Sequence, residues 1–128
     1  MNILIVDDEP QVAEVLAKSL GRQGHRATVV HSGEEALRML ESATPDALFL
    51  DISMPGINGL EVLAHVKRTR PQLAVVVITG HATPDEIDQV KRLGAVDVIP
   101  KPAALTHYHQ AIEKLHSNKS VNASGRSC

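Results

Sequence analysis

Aromatic residues are nearly missing from this chain: Phe49 and Tyr108 are the only two, and there is no tryptophan. A core must therefore be assembled from Val, Leu, Ile and Ala. Cysteine is limited to Cys128, which excludes an internal disulfide and fits a reducing compartment. A formal net charge of −2 with no basic cluster offers no broad attraction to nucleic acid or anionic membrane. No apolar stretch approaches the ~20 residues that a membrane-spanning helix requires. The N-terminus lacks a basic region followed by an apolar run and a cleavage site, so no signal peptide is expected and the cytoplasm is the default. A Gly-rich phosphate loop after the first strand-like run is missing too. Asp7-Asp8-Glu9-Pro10 stands there instead and would repel a nucleotide phosphate in the absence of metal, which argues against a nucleotide or flavin enzyme.

What is present is ordinary in amount and ordered in pattern. At 128 residues, 43% hydrophobic and 22% charged, the chain is expected to form one domain with a real core. Apolar runs at Asn2–Val6, Ala27–Val30, Ala47–Leu50, Leu73–Ile78 and Val96–Ile99 have strand length, and the unbroken ones fit strands buried on both faces. Helical patterns separate them. One starts near Pro10, with a stripe of Val12, Val15, Leu16, Ser19 and Leu20 closed by Gly21 and Gly24. Ser32 with Glu35 forms a capping box for Gly33–Glu41, and Leu60–Arg68 is the third helix. Thr83 with Glu86 caps a helix from Pro84 to about Leu93, ended by Gly94. The last helix runs from about Ala103 to His116 and buries Leu105, Tyr108, Ile112 and Leu115. Five βα units of this size predict an α/β fold: a doubly wound, flavodoxin-like, five-stranded parallel sheet of order 2-1-3-4-5 with helices on both faces. Residues 117–128 are polar and read as a flexible tail or the start of a linker.

In such a sheet all strand C-termini reach one edge. The strand-like runs here end on Asp7-Asp8, on Asp51, on Thr79 and, through Pro100, on Lys101. Carboxylates crowded into one crevice repel one another, which raises at least one pKa unless a cation compensates. A hard dication held by oxygen ligands is the usual compensation, and Mg²⁺ suits one or two carboxylates plus a phosphate oxygen. Capping or turn aspartates explain one or two of these acids, but not the added Thr79 and Lys101. Each residue alone is weak: threonine is a good strand residue, and a lone lysine is most often solvated.

Taken together, the acidic pair Asp7-Asp8, Asp51 opening Asp-Ile-Ser-Met-Pro-Gly, Thr79, and Lys101-Pro102 closely resemble the receiver domain of two-component response regulators. The resemblance covers residues 1–116. It implies that Asp51 is the phosphoacceptor, receiving a phosphoryl group from a histidine kinase or a histidine phosphotransfer protein. It implies Mg²⁺ held by Asp51 and Asp8, by Asp7 through a bound water, and by the Ser53 backbone carbonyl. Lys101 would contact one phosphoryl oxygen and Thr79 another, biasing the domain toward its active state. Only self-phosphorylation and slow autodephosphorylation would be catalysed, so the domain is a switch and not a metabolic enzyme.

The match has departures. The family commonly places an aromatic three residues before the lysine, where this chain has Val98, and a large residue after Lys-Pro, where it has Ala103. A non-phosphorylated pseudo-receiver, acting as a protein-interaction module, is therefore the alternative. Ser53 and His81 fall where the family tunes dephosphorylation; His81 either orients a water or is a plain loop histidine. The family's cis bond is usually the Lys-Pro peptide, here Lys101–Pro102. The remaining histidines read as surface residues, and Tyr108 has the helical phase of a core residue. The output partner or effector domain is not readable.

Overall fold

Apolar runs become the strands of a single sheet, the three central ones buried, in the computed structural model, which describes residues 1–53, 59–80, 83–101 and 106–115. The strands are β1 (Asn2–Val6), β2 (Arg26–Val30), β3 (Ala47–Asp51), β4 (Ala74–Thr79) and β5 (Asp97–Pro100). All pairings are parallel and the order is β2-β1-β3-β4-β5, as expected. From β1 the strands succeed one another outward to β2 on one side and through β3, β4 and β5 on the other. The winding therefore switches between β1 and β3, the place where such sheets open a crevice at the C-terminal edge.

The helices are α1 (Pro10–Arg22), α2 (Gly33–Ser42), α3 (Gly59–Thr69) and α4 (Pro84–Arg92). Residues 106–115 form α5. Alternation along each strand sends successive side chains to opposite faces and so builds two core layers. Leu4, Val6, Leu48, Leu50, Val75 and Val77 pack with α2, α3 and Val90 of α4. Ile3, Ile5, Ala47, Phe49, Val76 and Ile78 pack with α1 and α5. Tyr108 is buried there and meets Phe49 edge-to-face, with ring centroids 5.7 Å apart at 82°. The two aromatics thus serve one contact in the α1–α5 layer, and the other layer is wholly aliphatic.

Several local expectations change. The inward face of α1 is Ala13, Leu16, Ser19 and Leu20, while Val12 and Val15 are 39% and 54% exposed. Ala13 and Leu20 lie one turn either side of Leu16 on the buried stripe; Val15 lies about 100° round the helix from Leu16 and so falls outside it, whereas Val12 shares the stripe's side but sits in the exposed first turn. Gly21 lies inside α1, and the chain turns instead at Gly24, whose φ of +89° suits glycine. Ser32 and Thr83 cap their helices as read, accepting from the Glu35 and Glu86 amides at 3.1 and 3.2 Å. Gly59 opens α3 because a Cβ there would lie 2.5 Å from Ile52 Cα. Val98 is half-buried against the aliphatic layer. The expectations for His81, Pro102, Ala103, Leu105, His116 and residues 117–128 fall outside the described residues.

Candidate functional site

The sheet delivers four polar groups to one edge. Asp7 follows β1, Asp51 ends β3, Thr79 ends β4 and Lys101 follows β5. Both β3 and β4 run one residue further than the apolar runs suggest, so Asp51 and Thr79 sit on the strands themselves. Asp7, Asp51 and Thr79 are each only 1% exposed. Backbone hydrogen bonds carry the ladder past the strand ends and fix these positions. The Asp7 amide donates to the Val30 carbonyl at 3.1 Å, Ile52 to Ile78 at 3.0 Å, and Lys101 to Thr79 at 2.8 Å.

Each buried carboxylate is also held by the amide two residues on. Glu9 N–H donates to Asp7 Oδ1 at 2.9 Å, and Ser53 N–H to Asp51 Oδ1 at 2.8 Å. These are turns typical of aspartate, and they orient both acids before any ligand arrives. The Ser53 hydroxyl accepts from the Gly80 amide at 3.0 Å, tying the turn after β3 to the turn after β4. Thr79 Oγ1 donates to Glu86 Oε1 on α4 at 2.5 Å.

Lys101 reaches across the crevice. Its Nζ lies 2.6 Å from Asp51 Oδ2, 2.8 Å from Glu9 Oε1 and 3.4 Å from Asp7 Oδ2. Burial alone would lower the ammonium's pKa, but the hydrogen bonds to Asp51 and Glu9, with the charges of Asp51 and Asp7, hold it well above the ordinary 10.5. Asp7 is pushed above the ordinary 3.8, chiefly by burial and further by the Asp51 charge; the Glu9 amide and Lys101 pull the other way. Burial also raises Tyr108 above 10.0, and the Asp7 charge beneath the α5 layer adds to it.

Carboxylate oxygens of Asp7, Asp8, Glu9 and Asp51 lie within 4.8 Å of one another. One ammonium offsets only one of these four acids. Closely spaced, uncompensated hard oxygens are the donor set that a hard dication takes, so the residues fit Mg²⁺. Asp7, Asp8, Asp51, Thr79 and Lys101 therefore gather at one edge, with Ser53 on the adjoining turn. Glu9 was missed, although the acidic run Asp7-Asp8-Glu9 was its signal. Glu86 was read only as a cap partner, and its side-chain link to Thr79 had no sequence signal. Two histidines are less exposed than expected: His25 is half-buried, and His109 is held between Ser19 Oγ and Gln23 Nε2 at 2.8 and 3.2 Å.

The family model for the response regulator receiver domain matches residues 3–113. The response regulator MprA of Mycobacterium avium is 42% identical over 105 residues, which are 82% of this chain and 46% of that protein. The DNA-binding transcriptional regulator NtrC of Escherichia coli is 34% identical over 116 residues, covering 91% of this chain and 25% of that protein. The chain thus spans less than half the length of these curated relatives. Among solved structures, the response regulator TrrA of Thermotoga maritima, crystallised with Mg²⁺-BeF, superposes with a TM-score of 0.80 at 31% identity, covering 89% of this chain and 97% of that one. NtrX of Brucella abortus superposes with a TM-score of 0.87 at 30% identity, covering 96% of this chain and 29% of that one.

Proposed function

The chain belongs to the response regulator receiver domain family, and we propose that it is a phosphorylation-activated signalling switch whose phosphoacceptor is Asp51. The observation that carries the reading is the placement of Asp51: buried at the end of β3, with one oxygen held by the Ser53 amide and the other by Lys101. The donor is a phosphohistidine of a histidine kinase or phosphotransfer protein. An Asp51 carboxylate oxygen attacks phosphorus, the P–N bond breaks, and the electron pair leaves with the imidazole. Such transfers ask the protein mainly for positioning and charge stabilisation.

Asp8 and Asp51 would hold Mg²⁺ directly, with Asp7 through water and with the Ser53 carbonyl, and Glu9 stands at the rim of the same group. The bound ion supplies charge neutralisation for the phosphoryl oxygens. Asp51 presents one oxygen as nucleophile while Lys101 moves its contact from the carboxylate to a phosphoryl oxygen as a point charge. The Thr79 hydroxyl donates to another oxygen. Slow hydrolysis of the acyl phosphate then resets the switch. That the similar protein TrrA was crystallised in complex with Mg²⁺-BeF supports this reading. Effector output lies with a partner or a further domain, in keeping with relatives more than twice as long as the matched region.

The test is intact-protein mass after incubation with acetyl phosphate, with and without Mg²⁺. Wild type gains one phosphoryl group only with Mg²⁺, and Asp51→Ala gains none. A wild type that never gains mass would favour the pseudo-receiver reading, to which Val98 lends support.

A further inference from the structure

A hydroxyl carries one proton and can donate to one acceptor at a time. Thr79, 1% exposed at the end of β4, spends that proton on Glu86 Oε1 at 2.5 Å. Glu86 is not free to follow Thr79 wherever it turns. Its own amide is anchored by the Thr83 cap at 3.2 Å, and it belongs to the first turn of α4, whose Val90 is buried in the aliphatic layer. Thr79 is fixed as well, since its carbonyl accepts from Lys101 N–H at 2.8 Å. The result is a direct polar tie between the phosphorylation edge and α4.

We propose that Glu86 is a positioning residue that holds the Thr79 hydroxyl on α4 until a phosphoryl group on Asp51 competes for it, so that phosphorylation is transmitted as release of the first turn of α4. The proposal rests on Asp51 being the phosphoacceptor. A phosphoryl group brings only acceptor oxygens to the crevice, and a buried hydroxyl must donate to one acceptor or the other. When Thr79 turns to the phosphate, the Glu86 carboxylate loses its partner and goes to water, loosening residues 83–86. This tie offers a route to α4 in a chain that carries valine at 98, half-buried against the same aliphatic layer.

The experiment compares wild type, Glu86→Ala, Glu86→Gln, Thr79→Val and the double variant Thr79→Val/Glu86→Ala. The acetyl phosphate concentration giving half-maximal mass gain is measured with Mg²⁺, together with amide hydrogen exchange across Pro84–Arg92 before donor is added. Loss of a competing charged hydrogen bond in Glu86→Ala lowers the half-maximal concentration by roughly threefold or more. Glu86→Gln, which keeps a weaker neutral acceptor, falls between. Exchange in the first turn of α4 quickens in Glu86→Ala and in Thr79→Val, and the double variant matches Thr79→Val in both readouts. If Glu86→Ala leaves the half-maximal concentration unchanged, or shifts it equally in the Thr79→Val background, this role of Glu86 is overturned while Asp51 stands. If wild type takes up no phosphoryl group at all, the phosphoacceptor reading falls and takes this one with it.

Discussion

The two ends of the sheet treat polar groups in opposite ways. At the N-terminal end, Asn2 N–H donates to Asp46 Oδ2 at 2.7 Å and Asp46 N–H to the Asn2 carbonyl at 2.7 Å, both beside water. The adjoining groove is lined by Ile3, Leu4, Met39, Ala43 and Pro45, with Arg26 at the surface. At the C-terminal end, Asp7 and Asp51 are buried against each other and tied through Lys101. Stability alone does not require buried like charges, because well-packed apolar residues serve as well or better. One end is therefore stapled at low energetic stakes, while the other concentrates buried charge around one ammonium, the arrangement on which the proposed function rests.

If that contrast is right, substitutions at the two ends differ in cost. Lys101→Met leaves Asp7 and Asp51 buried without their cation and destabilises the fold by about 3 kcal/mol, the low end for a broken buried pair because Glu9 faces solvent. Adding Asp7→Asn to Lys101→Met recovers part of that loss, and the non-additivity is read from urea midpoints of the four proteins. Strict additivity would mean that the crevice is solvated like a surface. Next in size is Gly59→Ala, which drives a Cβ to within 2.5 Å of Ile52 Cα just beyond β3. Overpacking against backbone costs about 1–3 kcal/mol, measured the same way. At the opposite end, Asp46→Ala removes an exposed staple and costs about 0.5–1 kcal/mol. A loss equal to that of Lys101→Met would erase the distinction between the ends.

The smallest effect concerns Tyr108, which lies under the charged end in the α1–α5 layer. Burial, then the Asp7 charge, raises its pKa above 10.0, so above that pH the folded state keeps a proton that the unfolded chain releases. Stability from this group is complete below pH 10 and declines as pH rises through the folded value. Tyr108→Phe should show a shallower alkaline decline in urea midpoint than wild type. Equal slopes would mean that Tyr108 titrates as it does in the unfolded chain.

Most of the fold was legible because unbroken apolar runs separated by capped helical stripes leave few alternatives. Strand order and the positions of the Asp7, Asp51, Thr79 and Lys101 backbones follow from that pattern plus the parallel sheet's single C-terminal edge. Local phase was less legible. In α1 the valines at 12 and 15 drew the reading away from Ala13, yet Val15 is off the inner stripe by phase and Val12 is exposed in the first turn, while Ala13 packs into the layer with Leu16 and Leu20. Side-chain partnerships were least legible, since the Lys101–Glu9 and Thr79–Glu86 contacts depend on loop and helix placement that residue spacing does not encode. Glu9 was within reach as a third consecutive acid. Glu86 was hidden behind its capping position.

The most direct measurement is chemical mapping of the phosphorylated residue. The protein is treated with acetyl phosphate and Mg²⁺, reduced with borohydride, which converts an aspartyl phosphate to homoserine, and sequenced by tandem mass spectrometry. Homoserine at position 51, and at neither 7 nor 8, is the predicted result. Homoserine at 7 or 8, or none at any aspartate in a protein that binds Mg²⁺, would contradict Asp51 as the phosphoacceptor.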